Sequence, residues 1–175
     1  GNFDDVDNIV ATDVVTDTPT NNWCTNNGAM RANITHSEGN LKMVGVGNNY
    51  DNVAGTFDFD AEDADGWYWE YYSIGNDTAT GVGIARSTNI YFNQSDPTYQ
   101  VGHTSDTGDI TYQGNGAKKV NTAGEDSYGN SWTAGDIIGI AVKAGSIFFY
   151  KNGVLQNSGT AAQTGITGRV VPAFA

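Results

Sequence analysis

Short apolar and aromatic runs recur along the chain, and glycine, asparagine, threonine or aspartate interrupts them. The runs lie at residues 41–46, 56–59, 67–74, 82–85, 90–92, 110–112, 137–142, 147–150, 154–155 and 170–174. Their β-branched and aromatic residues favour strands, and the interrupting residues favour turns. Glycine supplies 23 of 175 residues and charged residues only 16%, which disfavours a helical bundle. This spacing predicts a single all-β domain, an antiparallel sandwich or barrel.

Three local patterns predict how individual strands are arranged. Asn152 and Gly153 separate two strand-like runs, and this pair is a strong hairpin signal because a type I′ turn needs positive φ at both residues. Gly139 interrupts the apolar run 137–142, where it would allow a neighbour to approach closely. In the run 67–72, alternation places Trp67, Trp69 and Tyr71 on one face and the remaining residues on the other. We expect one of these two faces to be core.

The charge of the chain restricts its partners. Eight Lys and Arg residues against 20 Asp and Glu residues give a formal net charge of -12, which repels nucleic acid and anionic bilayers. No stretch approaches the roughly 20 apolar residues of a membrane-spanning helix, so we expect no membrane insertion. Cys24 is the only cysteine, which excludes an internal disulfide framework. Residues 1–15 are acidic and polar, and we interpret them as a lead-in segment or linker before a domain at 16–175.

Several blocks of sequence, taken together, resemble a known family. The blocks are WYWE at 67–70, GVGIA at 81–85, SYGNSW at 127–132, GDIIGIAV at 135–142 and IFFYKNGV at 147–154. In order and spacing they are similar to the blocks of a SPRY domain, and VPA at 171–173 resembles the closing strand of that family. TDTPTNNW at 16–23 and EGNL at 38–41 resemble the opening of SPRY modules in bacteriophage and marine viral structural proteins.

The resemblance implies a concanavalin-A-like sandwich of two antiparallel sheets that serves as a binding module and not as a catalyst. It implies a phage virion protein, in a tail fibre or other surface appendage, located on the tail or capsid surface and extracellular once assembled. The expected partners are a host-surface glycan or protein, other virion subunits and further copies of the chain. The alternative is a structural or decoration domain that packs on virion subunits and binds no host ligand.

The acidic residues offer little for catalysis or metal binding. Glutamate occurs only at positions 38, 62, 70 and 125, and no pair has the spacing of a glycosidase. We interpret Glu70, the single candidate, as a structural hydrogen-bond acceptor for donors in loops, and we expect no cofactor. The acidic run before Trp67 contains Asp58, Asp60, Asp63 and Asp65. It does not fit the EF-hand register, and we interpret it as a solvated loop with a Ca²⁺ site as the alternative.

Two polar segments, 93–109 and 113–126, are the longest predicted loops, and long loops on a rigid scaffold are where recognition usually takes place. The candidate ligand-binding residues in them are Tyr99, His103, Asp106, Lys118 and Lys119. An aromatic ring with polar neighbours suits a sugar face or a peptide edge. Packing of Tyr99 under its own loop is the alternative. The two lysines form a cationic spot on an otherwise acidic surface.

Overall fold

The computed structural model describes residues 24–28, 34–45, 52–75, 78–92, 101–102, 106–120 and 124–175. These residues form thirteen strands, one helix and a 3-10 turn at Asn157–Gly159. The strands are β1 (Ile34–Ser37), β2 (Lys42–Gly45), β3 (Val53–Ala54), β4 (Phe59–Asp60), β5 (Trp67–Tyr72), β6 (Gly81–Arg86), β7 (Ile110–Gln113), β8 (Ala117–Val120), β9 (Asp126–Ser127), β10 (Ile137–Lys143), β11 (Ser146–Lys151), β12 (Val154–Leu155) and β13 (Arg169–Phe174). The helix is α1 (Ser87–Phe92).

The strands form two main antiparallel sheets and a separate hairpin. The larger sheet has the order β3-β13-β6-β7-β8-β9, with β4 paired to β13. The smaller sheet has the order β12-β11-β10-β5. Strands β1 and β2 pair only with each other within the described part of the chain. The all-β, two-sheet antiparallel sandwich predicted from the sequence is therefore confirmed.

The main core lies between the two sheets because each strand turns alternate side chains inward. The larger sheet contributes Ile84 and Tyr112, and the smaller sheet contributes Ile138, Ile140 and Phe149, all fully buried. Aromatic rings meet across the gap, with 5.2 Å between the ring centroids of Tyr112 and Phe149. This packing makes the sandwich a rigid support for the surfaces that it exposes.

A second, smaller cluster covers the opposite face of the larger sheet. Ile90 of α1 packs there with Ala85, Val171 and other buried residues. The apolar run at 90–92, which the sequence analysis interprets as a strand, lies in this helix, so that prediction is wrong. Three residues are too few to reveal a period, and the chain turns into a helix directly after β6 to bury Ile90 against the sheet.

The tight turns agree with one prediction and correct another. Asn152 and Gly153 have φ values of 49° and 78°, and they join β11 to β12 as predicted. The segment 113–126 is not one long loop, because β7 and β8 form a hairpin closed by the amide of Gly116, which donates to the carbonyl of Gln113 at 2.9 Å. The side-chain oxygen of Asn115 also accepts a hydrogen bond from the amide of Ala117. Asparagine at this position is a turn signal, but the lysines that follow it obscure the signal in the sequence.

The described residues include no helix that is long and apolar enough to cross a bilayer. The predicted lead-in segment at 1–15 lies outside the described residues. The chain from β5 to β13 contains both main sheets except for β3 and β4, and this region carries the surfaces considered next.

Candidate functional site

The loop at 93–109 contributes one described candidate residue, Asp106, since Tyr99 and His103 lie outside the described residues. The Asp106 carboxylate accepts from Arg86, at 2.8 Å from Nη2 and 3.2 Å from Nε, and also from the amide of Gly108. Arg86 in turn donates to the carbonyl of Thr167. Hydrogen bonding to Asp106 raises the pKa of Arg86. Asp106 thus links residues 106–108 to Arg86 at the end of β6, and its role in ligand binding stays a prediction.

The two candidate lysines lie in β8, on the larger sheet. Lys118 Nζ donates to the carbonyl of Ala162 at 2.8 Å, and Lys119 Nζ lies 3.4 Å from a Glu125 carboxylate oxygen. The side chain of Lys119 is only 14% exposed. Both ammonium groups therefore hold neighbouring segments of the chain, and the cationic spot expected from the sequence is partly neutralised. Their contribution to ligand binding also stays a prediction.

The acidic run before β5 is held by internal contacts. Asp58 forms an ion pair with Arg169, which lowers the pKa of the Asp58 carboxyl. Asp60 accepts from the amide of Glu62, and Asp63 accepts from the amide of Asp65 and the indole of Trp67. Within the described ranges no group of three or more His, Cys, Asp or Glu side chains could hold a metal ion. The Ca²⁺ site remains an alternative without support from this geometry.

The outward surface of the smaller sheet is rich in aromatic and aliphatic side chains. We call it the outer aromatic face, and the register of β5, β10, β11 and β12 places on it Tyr68, Glu70, Tyr72, Ile137, Phe148, Tyr150 and Leu155. Tyr68 is 55% exposed and Tyr72 is 60% exposed. Trp69 and Tyr71 point the other way and pack against the core, as predicted, whereas Trp67, predicted on the same side, stacks on Phe59 and stays 44% exposed.

Gly139 shapes the middle of the outer aromatic face. The register places Gly139 between Glu70 of β5 and Tyr150 of β11. The Tyr68 ring lies across this gap, so close that a Cβ at position 139 would approach the Tyr68 hydroxyl to 2.4 Å. The rings of Tyr68 and Tyr150 meet edge to face, with 6.1 Å between centroids and an interplanar angle of 83°. Gly139 therefore allows the close approach that the sequence predicts, and the neighbour is an exposed tyrosine.

A hydrogen bond also holds the hydroxyl end of this ring, which lies over Gly139. The Tyr68 hydroxyl donates to Glu70 Oε1 at 2.8 Å. Partial burial, together with this carboxylate, raises the pKa of Tyr68 to about 12, so the hydroxyl stays protonated and keeps donating at neutral pH. Glu70 accepts a hydrogen bond, but its donor is a neighbour on the same strand and not the loop residue that the sequence analysis predicts. The result is an exposed aromatic ring that is fixed before any ligand arrives.

A groove of about 540 Å³ runs between β5, the β1–β2 hairpin and the segment around Cys24. Trp69 and Tyr71 contribute apolar surface to it, and Leu41 and Ile74 at its border are about half exposed. The groove lies next to the outer aromatic face because Tyr72 belongs to both. Neither surface was identified from the sequence as a site, although the aromatic alternation in β5 and the glycine in β10 are the signals that mark the aromatic face.

Comparisons with known proteins agree with this architecture. Residues 66–175, which include the whole outer aromatic face, match the family described as the SPRY domain. The solved SPRY domain of human HERC1 is similar to this chain with a TM-score of 0.57 and 18% identity, and 75% of this chain and 77% of that chain are covered. A second human SPRY domain has a TM-score of 0.52 and 21% identity, with 75% and 82% covered. At these identities the likeness concerns the fold. No curated protein matches the sequence.

Proposed function

The chain belongs to the SPRY family, whose domains are protein-interaction modules and generally not catalysts, and from this premise we propose that it is the recognition module of a phage virion protein. It would belong to a tail fibre or other surface appendage and bind a host-surface glycan or protein. The assignment to a virion rests on the resemblance of residues 16–23 and 38–41 to the opening of viral SPRY modules.

One observation carries the proposal of recognition, namely the outer aromatic face. Exposed tyrosines supply a large contact area at low entropic cost and are enriched where proteins bind ligands. Here a rigid sheet supports them, and the Tyr68 ring is held by its hydrogen bond to Glu70 and by edge-to-face packing with Tyr150. A shallow surface of this kind binds weakly per site. Many copies on one particle strengthen attachment by factors of about 10² to 10⁴ without any new contact.

The test is a binding assay on a glycan array and on whole bacterial cells. We expect the purified chain to bind, and we expect Tyr99→Ala and a variant shortened between residues 93 and 109 to bind less if the predicted loop takes part. Unchanged cell binding in both variants would show that the loop at 93–109 is not part of the binding site. The proposal that the chain is a recognition module would still stand. Absence of any binding by the wild type would overturn the proposed function.

A second candidate function is a structural domain that packs on other virion subunits, and the groove beside β5 favours it. The centre of a subunit contact is usually apolar, and Leu41, Tyr72 and Ile74 expose apolar surface at the groove. Sedimentation velocity at high protein concentration separates the two functions. Self-association that is lost in Leu41→Ser supports the structural role, and a monomer that binds cells supports recognition.

A further inference from the structure

The centre of the outer aromatic face combines an exposed ring with a hydrogen-bond acceptor beside it. The Tyr68 ring lies across the gap at Gly139, and its exposed side is open to solvent. The Glu70 carboxylate borders the same ring at 2.8 Å from the Tyr68 hydroxyl. A carboxylate has about four acceptor positions, and the Tyr68 hydroxyl uses one of them. An apolar surface and an unsaturated acceptor are therefore presented side by side.

A pyranose ring has the complementary pattern. Its axial C–H groups form an apolar face that stacks on an aromatic ring, and its equatorial hydroxyls project from the edge as hydrogen-bond donors. A sugar stacked on Tyr68 would direct hydroxyls toward Glu70, where a charged acceptor makes stronger hydrogen bonds than a neutral one. The ring is fixed before binding, so little side-chain entropy is lost when the sugar is bound.

Charge selects among sugars. Two outward positions on the four strands are charged, Glu70 in the middle and Lys143 at the end of β10. The charge closest to the Tyr68 hydroxyl is thus negative, on a chain with a net charge of -12. A sulfated, phosphorylated or carboxylated sugar would be repelled there. A neutral sugar meets no such penalty.

The same carboxylate argues against a protein subunit as the occupant of this position. Charged residues are depleted at the centre of protein interfaces, and burial of a carboxylate under an apolar surface without a cation is strongly unfavourable. Hydroxyl groups of a sugar satisfy the carboxylate and leave it partly hydrated. We propose that the outer aromatic face binds a neutral pyranose polysaccharide, stacked on Tyr68 and hydrogen-bonded to Glu70. This inference rests on the proposed function, to which it adds the class of ligand.

The experiment is affinity electrophoresis of the purified chain in native gels that contain a neutral glucan, galactan or mannan, or the sulfated counterpart of each. We expect at least one neutral polysaccharide to retard the wild type and its sulfated form to do so much less. Tyr68→Ala should weaken retardation roughly tenfold, because the stacking surface is removed. Gly139→Ala should have a similar effect, since its Cβ would displace the Tyr68 ring.

Phe57→Ala is the matched control, because Phe57 is also an exposed aromatic residue but lies between β3 and β4, outside the strands of the outer aromatic face. It should keep wild-type retardation. Thermal unfolding shows which variants are folded. If Gly139→Ala is not folded, the result for Tyr68→Ala decides, because Tyr68 is exposed and its replacement leaves the core intact. Three results would each overturn the inference: no neutral polysaccharide retards the wild type, Tyr68→Ala is retarded as strongly as the wild type, or the wild type is a dimer that Tyr68→Ala dissociates. Cell binding that persists in Tyr68→Ala would leave the proposed function standing.

Discussion

The side chain of Asp136 connects two parts of the chain, the segment at Thr133 and the hairpin between β11 and β12. Its carboxylate accepts from the amide of Thr133 at 2.9 Å and from Asn152 Nδ2 at 2.7 Å, and Lys151 Nζ lies 3.2 Å away. The side chain is only 14% exposed. These hydrogen bonds, first that from the Thr133 amide and then that from Asn152, lower the pKa of the Asp136 carboxyl. Folding therefore favours the charged form of this residue.

We predict that Asp136→Asn lowers the free energy of unfolding by about 1–2 kcal/mol at pH 7, because hydrogen bonds to a charged acceptor are lost. The lowered pKa means that the contribution is present above the usual carboxyl pKa of about 4 and disappears as the pH falls through the lowered value. Denaturant unfolding between pH 7 and pH 2 measures the difference between variant and wild type. Asp126→Asn, at an exposed position of β9, is the control. A difference that stays constant over this range would contradict the prediction.

Strand β11 shows how one element serves the core and the surface at once. Phe149 is fully buried, with ring centroids 5.2 Å from Tyr112 and 5.9 Å from Tyr128. Its neighbour Phe148 points outward on the opposite side of the same strand and is half-buried. We predict that Phe149→Ala lowers the free energy of unfolding by about 3–5 kcal/mol and that Phe148→Ala costs about 1 kcal/mol or less. Chemical denaturation measures both free energies of unfolding. Equal losses in the two variants would contradict the alternation of inward and outward side chains along β11.

The elements that could be predicted are those whose signal is local. Asn152 and Gly153 mark a hairpin because both residues must adopt positive φ. A different turn, in which Gly116 has positive φ and Asn115 does not, was missed because lysines, and not apolar residues, follow it in β8. The aromatic face could not be predicted, since it depends on the Tyr68 ring lying over Gly139 of a strand that is distant in sequence. Alternation assigns a side chain to a face, but only the register between strands shows which side chains meet there.

For the molecule as a whole, charge and binding surface act at different distances. The net charge of -12 produces a field that extends about 30 Å at 10 mM salt and about 8 Å at 150 mM salt. A bacterial surface is usually anionic, so this field opposes approach. The outer aromatic face acts only on contact, and the proposed neutral sugar carries no charge for the field to repel. Attachment to cells and affinity for an isolated neutral polysaccharide should therefore depend differently on ions.

We predict that binding of the fluorescently labelled chain to cells increases roughly tenfold between about 10 mM and 150 mM NaCl, because screening shortens the range of repulsion. Ca²⁺ or Mg²⁺ at matched ionic strength should increase it further, since a divalent cation can bridge two anionic surfaces. Retardation by a neutral polysaccharide in the same buffers is the control and should stay constant. Cell binding that is indifferent to both salt and divalent cations would contradict this account. If retardation by the neutral polysaccharide rose together with cell binding, the ions would act on the protein itself.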